Sequence, residues 1–106
     1  MTLSRQIHLV RRPQGMPQPG DFALVETELA ALEEGQVLVQ GLLLSVDPYM
    51  RPRLNGEQAL DEPMLGGGIG RVIGSRREGY REGDLVRHFA GFRARSSSDG
   101  GYLPLL

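Results

Sequence analysis

Hydrophobic and polar positions along the chain predict several short strands. The strongest signal is residues 36–46, whose apolar side chains point to both faces, so a central strand is predicted there. A buried helix is the alternative, but the β-branched residues and the bounding Gly35 and Pro48 favour a strand. Further strands are predicted at residues 7–10, 22–29, 69–75 and 85–89.

Turn-forming residues separate these strands. Residues 30–34 are predicted to form one helical turn that ends at Gly35, and a second turn is predicted at residues 48–51. The pattern as a whole predicts a mainly β barrel or sandwich with helix limited to these short turns. Loops, tight turns or polar runs are predicted at residues 12–21, 55–63, 76–83, 82–84 and 96–101.

Composition adds a domain count and narrows the class of protein. A chain of 106 residues suits one domain, and 15 Gly with 7 Pro favour turns over long helices. The chain has no Cys, which excludes a disulfide scaffold, thiolate zinc sites and a Cys nucleophile. Every basic residue is Arg, which we interpret as codon or genome bias rather than selection for phosphate binding.

Charge and hydropathy disfavour two classes of partner. A net charge of -1 gives no general attraction to nucleic acid, so no nucleic-acid partner is expected. No apolar run approaches the roughly 20 residues that a membrane helix needs, so no membrane partner is expected either. The first residues lack the apolar region of a signal peptide, which makes a soluble cytoplasmic protein the expectation.

The segment that follows the predicted central strand is the most unusual in the chain. Asp47 is expected to accept hydrogen bonds from free backbone N–H groups at a helix start, and Pro48 suits the first helical position. Pro52 is expected to stop the helix, because its ring clashes with the carbonyl of residue 48 and restrains the residue before it. One rigid turn is therefore predicted directly after the strand.

This turn carries the candidate substrate-binding residues Tyr49, Met50 and Arg51. A rigid turn fixes the directions of its side chains, which is the preorganisation that a binding site needs. The alternative is a turn that only ends the strand, with the Tyr49 ring packed on the core. Spacing alone does not decide between the two.

Other candidate sites have weaker signals. Residues 66–70 are Gly-rich, but they do not complete the Gly-x-Gly-x-x-Gly pattern. The last glycine of the pattern is replaced by Arg71 in one register and by Ile73 in the other. The run also precedes a predicted strand, whereas the dinucleotide-binding pattern follows one. Close backbone packing or a β-bulge is predicted there instead of a phosphate loop. His8 and His88 are the only histidines, so no metal site is predicted, and ordinary strand positions are expected for both.

Two further arrangements are also interpreted as structural. A Ser-His-Asp triad using Ser45 or Ser75 lacks a Gly-x-Ser-x-Gly elbow. The arginines at 76, 77 and 81 stand among acidic residues without interleaved aromatic residues, which is typical of a solvated hairpin. No catalytic residues are assigned.

Three motifs resemble the N-terminal domain of the zinc-independent medium-chain dehydrogenase/reductases. They are Leu-Ser-Val-Asp-Pro-Tyr-Met-Arg at residues 44–51, the Gly-rich strand at 67–75 and Gly-Asp-Leu-Val at 83–86. The resemblance covers the whole chain, and its branch contains leukotriene B4 12-hydroxydehydrogenase, prostaglandin reductase and curcumin-reductase-like enzymes. Zinc-dependent relatives carry Cys and His where this chain has residues 46–47 and 66–67.

The resemblance implies a GroES-like, partly open β-barrel and an NADP(H)-dependent oxidoreductase without a metal. Family members reduce the carbon–carbon double bond of α,β-unsaturated aldehydes and ketones, and some act on quinones. The tyrosine that matches Tyr49 lines the substrate pocket in this family. The cofactor is held mainly by a Rossmann domain, which this chain lacks.

Residues 1–106 are therefore expected to be the substrate-side domain of a larger oxidoreductase, inactive on its own. The full-length enzyme is expected to be a homodimer through the cofactor domain, so the chain alone can be a monomer. The alternative is a stand-alone, non-catalytic GroES-like binding or assembly module. The Arg-rich strand segment at residues 93–95 and Arg71 depart from the family pattern, which leaves the substrate open.

Overall fold

The computed structural model describes residues 2–98 and 103–106, and most of them lie in strands and turns. Its elements, in chain order, are β1 (Thr2–Leu9), a 3-10 turn (Pro19–Asp21), β2 (Phe22–Leu29), β3 (Val37–Leu44), α1 (Met50–Arg53), β4 (Glu62–Pro63), β5 (Gly68–Ser75), β6 (Leu85–His88) and β7 (Arg95–Ser98). This composition confirms the prediction of a mainly β fold.

The strands form two antiparallel sheets that do not close into a single barrel. One sheet has the order β2-β1-β4, and the other has the order β6-β5-β3-β7. β3 lies between β5 and β7, as predicted for a central strand. The two sheets meet where β1 approaches the chain before β7: Gln6 bridges to Arg93, and the Ile7 N–H donates to the Phe92 carbonyl at 2.9 Å. The result is the partly open barrel that the family resemblance implied.

The core is divided between the two sheets. One cluster joins Val37, Val39, Val72 and Val86 of the four-stranded sheet to Leu103, with Tyr80 packed against them. The other joins Leu9 of the three-stranded sheet to Leu54 and Met64, with Ile7, Phe22 and Phe92 alongside. Branched aliphatic side chains suit both the pleated strands and close packing, which explains why β3 forms where it does.

Two local predictions were wrong. Residues 30–33 lie in no helix or strand and the chain turns at residues 34 and 35, because the Glu33 N–H is taken by the Gln36 amide oxygen and the Leu32 carbonyl by the Arg76 side chain. These side chains satisfy backbone groups that a helical turn would have used. Residues 96–98 of the predicted polar run form β7, which pairs with β3; the rest of that run lies outside the described residues.

α1 differs from the predicted turn at both ends. The helix runs through Pro52 to Arg53, because the carbonyl of residue 48 accepts the Arg51 N–H at 3.3 Å and does not need the N–H that Pro52 lacks. Asp47 begins the turn with its main-chain carbonyl, which accepts the Met50 N–H at 3.0 Å. Its carboxylate accepts the Ser45 hydroxyl at 2.6 Å instead of capping the helix.

Candidate functional site

The turn after β3 presents Tyr49 at the surface. β3 ends at Leu44, and the Ser45 N–H donates to the Gly67 carbonyl at 2.9 Å, which holds the chain against the residues before β5. The turn then reverses the chain within a few residues. Tyr49 is left 48% exposed, so its ring is only partly covered by the rest of the chain.

The two residues that follow Tyr49 hold the turn in place. Met50 is buried, and its sulfur accepts the Asp47 N–H at 3.1 Å. Arg51 donates to the Gly15 carbonyl at 2.7 Å and also to the Asn55 side chain. The structure therefore places Met50 towards the interior and Arg51 towards the loop of residues 10–18, and neither joins Tyr49 at the surface depression described next.

Tyr49 stands between two adjoining concavities, each of about 330 Å³. Both are lined by Tyr49, Gly67 and Phe89, so the two rings and the glycine between them are shared. We call this region the Tyr49 cleft. The remaining lining residues are Ser45, Asp47, Gly68, Ile69 and Arg87 on one side, and Arg53, Leu65 and Gly66 on the other.

Close packing requires a glycine at position 68 of the cleft. A Cβ on Gly68 would lie 2.8 Å from His88 Nε2 and would overlap the Leu43 carbonyl, whereas a Cβ on Gly67 would lie 3.4 Å from the Phe89 ring, an ordinary contact. The pairing of β3 with β5 shifts register between Gly41 and Leu43, on the β3 side. Of the predicted alternatives, close backbone packing is thus confirmed, and the run leads into a strand rather than a helix.

Aromatic and cationic groups dominate the chemistry of the cleft. The Arg53 guanidinium lies 4.6 Å from the centre of the Tyr49 ring and 3.2 Å from Glu57. A cation over a ring is attracted to it and restricts its motion. Phe89 is 64% exposed, which leaves a second ring available to a ligand. Flat rings flanking a glycine surface suit a planar, conjugated molecule.

His88 lies beneath this surface. Its side chain is buried, and Nδ1 accepts the Ala90 N–H at 3.1 Å. Nε2 has no hydrogen-bond partner among the described residues. Burial lowers the pKa of His88, because the charged ring would lose its hydration. His88 therefore supports the Gly68 backbone as a neutral ring.

The residues that sequence reasoning missed come from the far end of β6. Arg87 and Phe89 line the cleft because β6 pairs with β5 and brings residue 87 opposite Ile69. The only signal available was the apolar Phe89 at the end of a predicted strand, and it did not distinguish a cleft from a core. His8 lies away from these residues, hydrogen-bonded to the Gln6 side chain at 2.9 Å.

The described residues hold neither a cluster of metal-ligating side chains nor a membrane-spanning helix. In residues 2–98 and 103–106, no three His, Cys, Asp or Glu side chains are grouped so that they could hold a metal ion. No helix in that same part of the chain is long and apolar enough to cross a membrane.

Known proteins with similar sequences are reductases. The chain is 38% identical over 103 residues to the NADPH-dependent curcumin reductase of Escherichia coli (strain K12), which covers 92% of this chain and 30% of that protein. It is 36% identical over 106 residues to prostaglandin reductase 1 of Mus musculus, covering 100% of this chain and 32% of the relative. The chain thus spans about a third of the length of these relatives.

Solved structures agree with the sequence comparison. CurA from Vibrio vulnificus superposes on 96% of this chain with a TM-score of 0.90 and 31% identity, and this chain covers 32% of CurA. The complex of CurA with NADPH superposes on 95% of it with a TM-score of 0.88 and 32% identity, again over 32% of that protein.

The family comparison covers almost the whole chain. Residues 5–105 match the family described as the N-terminal domain of oxidoreductase. The matched range includes both sheets, the turn that carries Tyr49 and the glycines of the cleft. With its two open sheets and its likeness to curcumin and prostaglandin reductases, the chain belongs to the N-terminal oxidoreductase domains, in the leukotriene B4 dehydrogenase branch of the medium-chain dehydrogenase/reductases.

Proposed function

We propose that residues 1–106 form the substrate-side domain of an NADP-dependent oxidoreductase. The enzyme reduces the carbon–carbon double bond of α,β-unsaturated carbonyl compounds, or quinones. The observation that carries this proposal is the likeness to CurA in complex with NADPH, at a TM-score of 0.88. The curcumin and prostaglandin reductases among the relatives support the same class of reaction.

The Tyr49 cleft forms one wall of the substrate pocket in this proposal. Tyr49 and Phe89 are exposed and line the cleft together. In this proposal their ring faces stack against the conjugated part of the substrate, and the Tyr49 hydroxyl donates a hydrogen bond to its carbonyl oxygen. Met50 and Arg51 contribute by fixing the turn, through the interior and through the Gly15 carbonyl. The domain therefore orients the substrate and shields one face of it from water.

The Gly-rich run at residues 66–70 does not form a phosphate loop for the cofactor. The Gly-rich run leads into β5 rather than into a helix N-terminus, and its surface is already packed by Phe89 and His88. We assign NADP(H) binding to a Rossmann-type part of the full-length protein. We also propose that this part forms the homodimer contact and that no metal takes part.

Variants at Tyr49 test the proposal in the full-length enzyme that carries this chain. Tyr49→Phe removes the hydroxyl, and a hydrogen bond worth about 1 kcal/mol predicts a roughly fivefold fall in kcat/KM for an enone. Tyr49→Ala also removes the ring, so the expected fall is on the order of tenfold or more. Steady-state rates are followed by the loss of NADPH absorbance.

Tyr80→Phe is the matched control. The Tyr80 hydroxyl donates to the Leu103 carbonyl at 2.8 Å, away from the cleft, so this variant lowers the melting temperature and leaves kcat/KM unchanged. If Tyr49→Ala lowers only the melting temperature, Tyr49 is a core residue. If neither enones nor quinones cause the full-length protein to oxidise NADPH, a non-catalytic binding or assembly module is the better description.

A further inference from the structure

The Tyr49 cleft contains a cation that no group in the described chain neutralises. Arg87 lies on β6, is exposed, and lines the side of the cleft with Ile69 and Phe89. Its main-chain N–H donates to the Pro104 carbonyl at 3.0 Å, which fixes the backbone. The salt bridges among the described residues involve Arg5, Arg11 and Arg53 but not Arg87.

The acidic residue of the cleft does not serve as its partner. Asp47 follows β3, whereas Arg87 lies on β6, and the start of β5 lies between them. The Asp47 carboxylate accepts the Ser45 hydroxyl at 2.6 Å. The other cation of the cleft, Arg53, already has both Glu57 and the Tyr49 ring as partners. Arg87 differs from it in having neither.

A ligand that fills the cleft changes the surroundings of the Arg87 side chain. Arg87 lines the same concavity as Tyr49, Phe89 and Ile69, so a ligand that contacts those three residues displaces water beside Arg87. Removing hydration from a cation without supplying a partner is unfavourable. A guanidinium matches the two oxygens of a carboxylate or phosphate, and the charge-assisted bonds replace the lost hydration.

We propose that Arg87 is a specificity-determining residue that binds an anionic oxygen group, a carboxylate or phosphate, of the molecule held in the Tyr49 cleft. This inference rests on the proposed function for the position of the cleft. It adds a preference for acidic substrates, or a contact with a cofactor phosphate, which the relatives' names do not assign to any residue.

The test uses the full-length enzyme that carries this chain and two enones. One enone ends in a carboxylate, and the other is its methyl ester. For a substrate carboxylate, Arg87→Gln lowers the ratio of kcat/KM for the acid to that for the ester about tenfold, in line with a charge-assisted hydrogen bond. Arg87→Lys keeps the charge and recovers part of the ratio. For a cofactor phosphate, the ratio is unchanged and KM for NADPH rises about tenfold in Arg87→Gln.

Arg71→Gln is the matched control. Arg71 is exposed on β5 two residues from Ile69, the partner of Arg87, so it shares the outer face of the sheet without lining the cleft. The proposal is overturned if Arg71→Gln changes the ratio as much as Arg87→Gln does. It is also overturned if Arg87→Gln changes neither quantity, or changes only the melting temperature.

The ester separates this proposal from the proposed function. A wild-type enzyme that reduces the ester but shows no dependence on Arg87 keeps the function and loses the anion site. If the wild type reduces neither compound and no quinone, the function fails, and calorimetric titration with succinate and pyrophosphate decides the anion site. Weaker binding of either probe to Arg87→Gln then supports the site, and equal binding overturns it.

Discussion

At the scale of single residues, His88 combines burial with a specific hydrogen bond. Nδ1 accepts the Ala90 N–H, so the ring is neutral with its proton on Nε2. Protonation would place a second N–H against that donor and bury a charge among apolar side chains. The folded chain therefore binds a proton at His88 less readily than the unfolded chain does, consistent with its lowered pKa.

This difference predicts a loss of stability in mild acid. The stabilising contribution is fully present above the ordinary histidine pKa of 6.5 and falls as the pH decreases below it towards the folded-state pKa. Urea unfolding of the 106-residue chain between neutral pH and about pH 5 measures it, in a window above the titration of most carboxylates.

Histidine variants separate this effect from general acid sensitivity. His88→Leu is expected to lose the pH dependence in that window. His8→Gln, which changes the half-buried histidine beside Gln6, is expected to keep it. An equal loss of stability with pH in the wild type and His88→Leu would show that other groups are responsible.

The conformation of single residues was predictable where local backbone chemistry determines it. It was not predictable where packing against distant residues determines it. The turn at Tyr49 was predictable from Pro48, although the Asp47 carboxylate binds Ser45 instead of capping the helix as expected, and Tyr49 on this turn is half-exposed. The directions of Met50 and Arg51 depend on the interior and on Gly15, which lie far away in sequence or have no local signal. Their expected contact with substrate stays a prediction. We interpret the geometry as placing both residues in support of the turn.

At the scale of elements, one glycine sets how the chain leaves β6. Gly91 has a φ of 73°, and a Cβ there would overlap the Met64 carbonyl. Its N–H donates to the Gly66 carbonyl at 3.0 Å, and the next N–H donates to the Met64 carbonyl at 2.9 Å. The segment after β6 is thereby joined to the residues at the base of the Tyr49 cleft.

Alanine substitutions separate the cost of a left-handed backbone conformation from the cost of steric overlap at the added Cβ. Gly91→Ala incurs both the left-handed conformation and the overlap, so a loss of about 2 kcal/mol or more in the free energy of unfolding is expected. Gly79 has a φ of 91° with open space around it, so Gly79→Ala should cost about 1 kcal/mol. Gly56→Ala meets neither condition and serves as the neutral control. Similar unfolding free energies for Gly91→Ala and Gly56→Ala would contradict this account.

Elements with a strong local pattern were predictable, and those fixed by remote partners were not. β3 has apolar residues on both faces, with Gly35 before it and Pro48 after it, and its central position follows from them. β7 is made of Arg and Ser, and it is a strand because β3 supplies its hydrogen bonds. In the predicted helical turn at residues 30–34, the Gln36 amide takes the Glu33 N–H and Arg76, 44 residues from Leu32, takes the Leu32 carbonyl, a contact that local propensity does not contain.

At the scale of the whole molecule, the described residues form the Tyr49 cleft but no phosphate site of the dinucleotide type. Its described α-helix has four residues and ends in Arg-rich sequence, and the glycine run is packed. The barrel type was predictable because the motifs are specific to a family. The extent of the Tyr49 cleft was not, since it depends on how β5 and β6 pair.

The 106-residue chain is accordingly expected not to bind NADPH tightly. Phosphate capture relies on a helix N-terminus with a glycine-rich approach, which the proposed function places in another part of the protein. Calorimetric titration of the chain with NADPH should show no affinity in the micromolar range. Binding of that strength would contradict the assignment and favour a phosphate loop at residues 66–70.

The contacts that hold the Tyr49 turn extend to a loop that does not line the cleft. Arg51 binds the Gly15 carbonyl, and the Asn55 amide donates to the Pro13 carbonyl at 3.0 Å. Gly15 itself has a left-handed φ of 73° and open space around it, so the loop can accept other residues there only by shifting its backbone. Natural variation or a directed-evolution library confined to residues 13–16 would thus alter how Tyr49 is presented, and retune substrate range, while every residue that lines the cleft stayed the same.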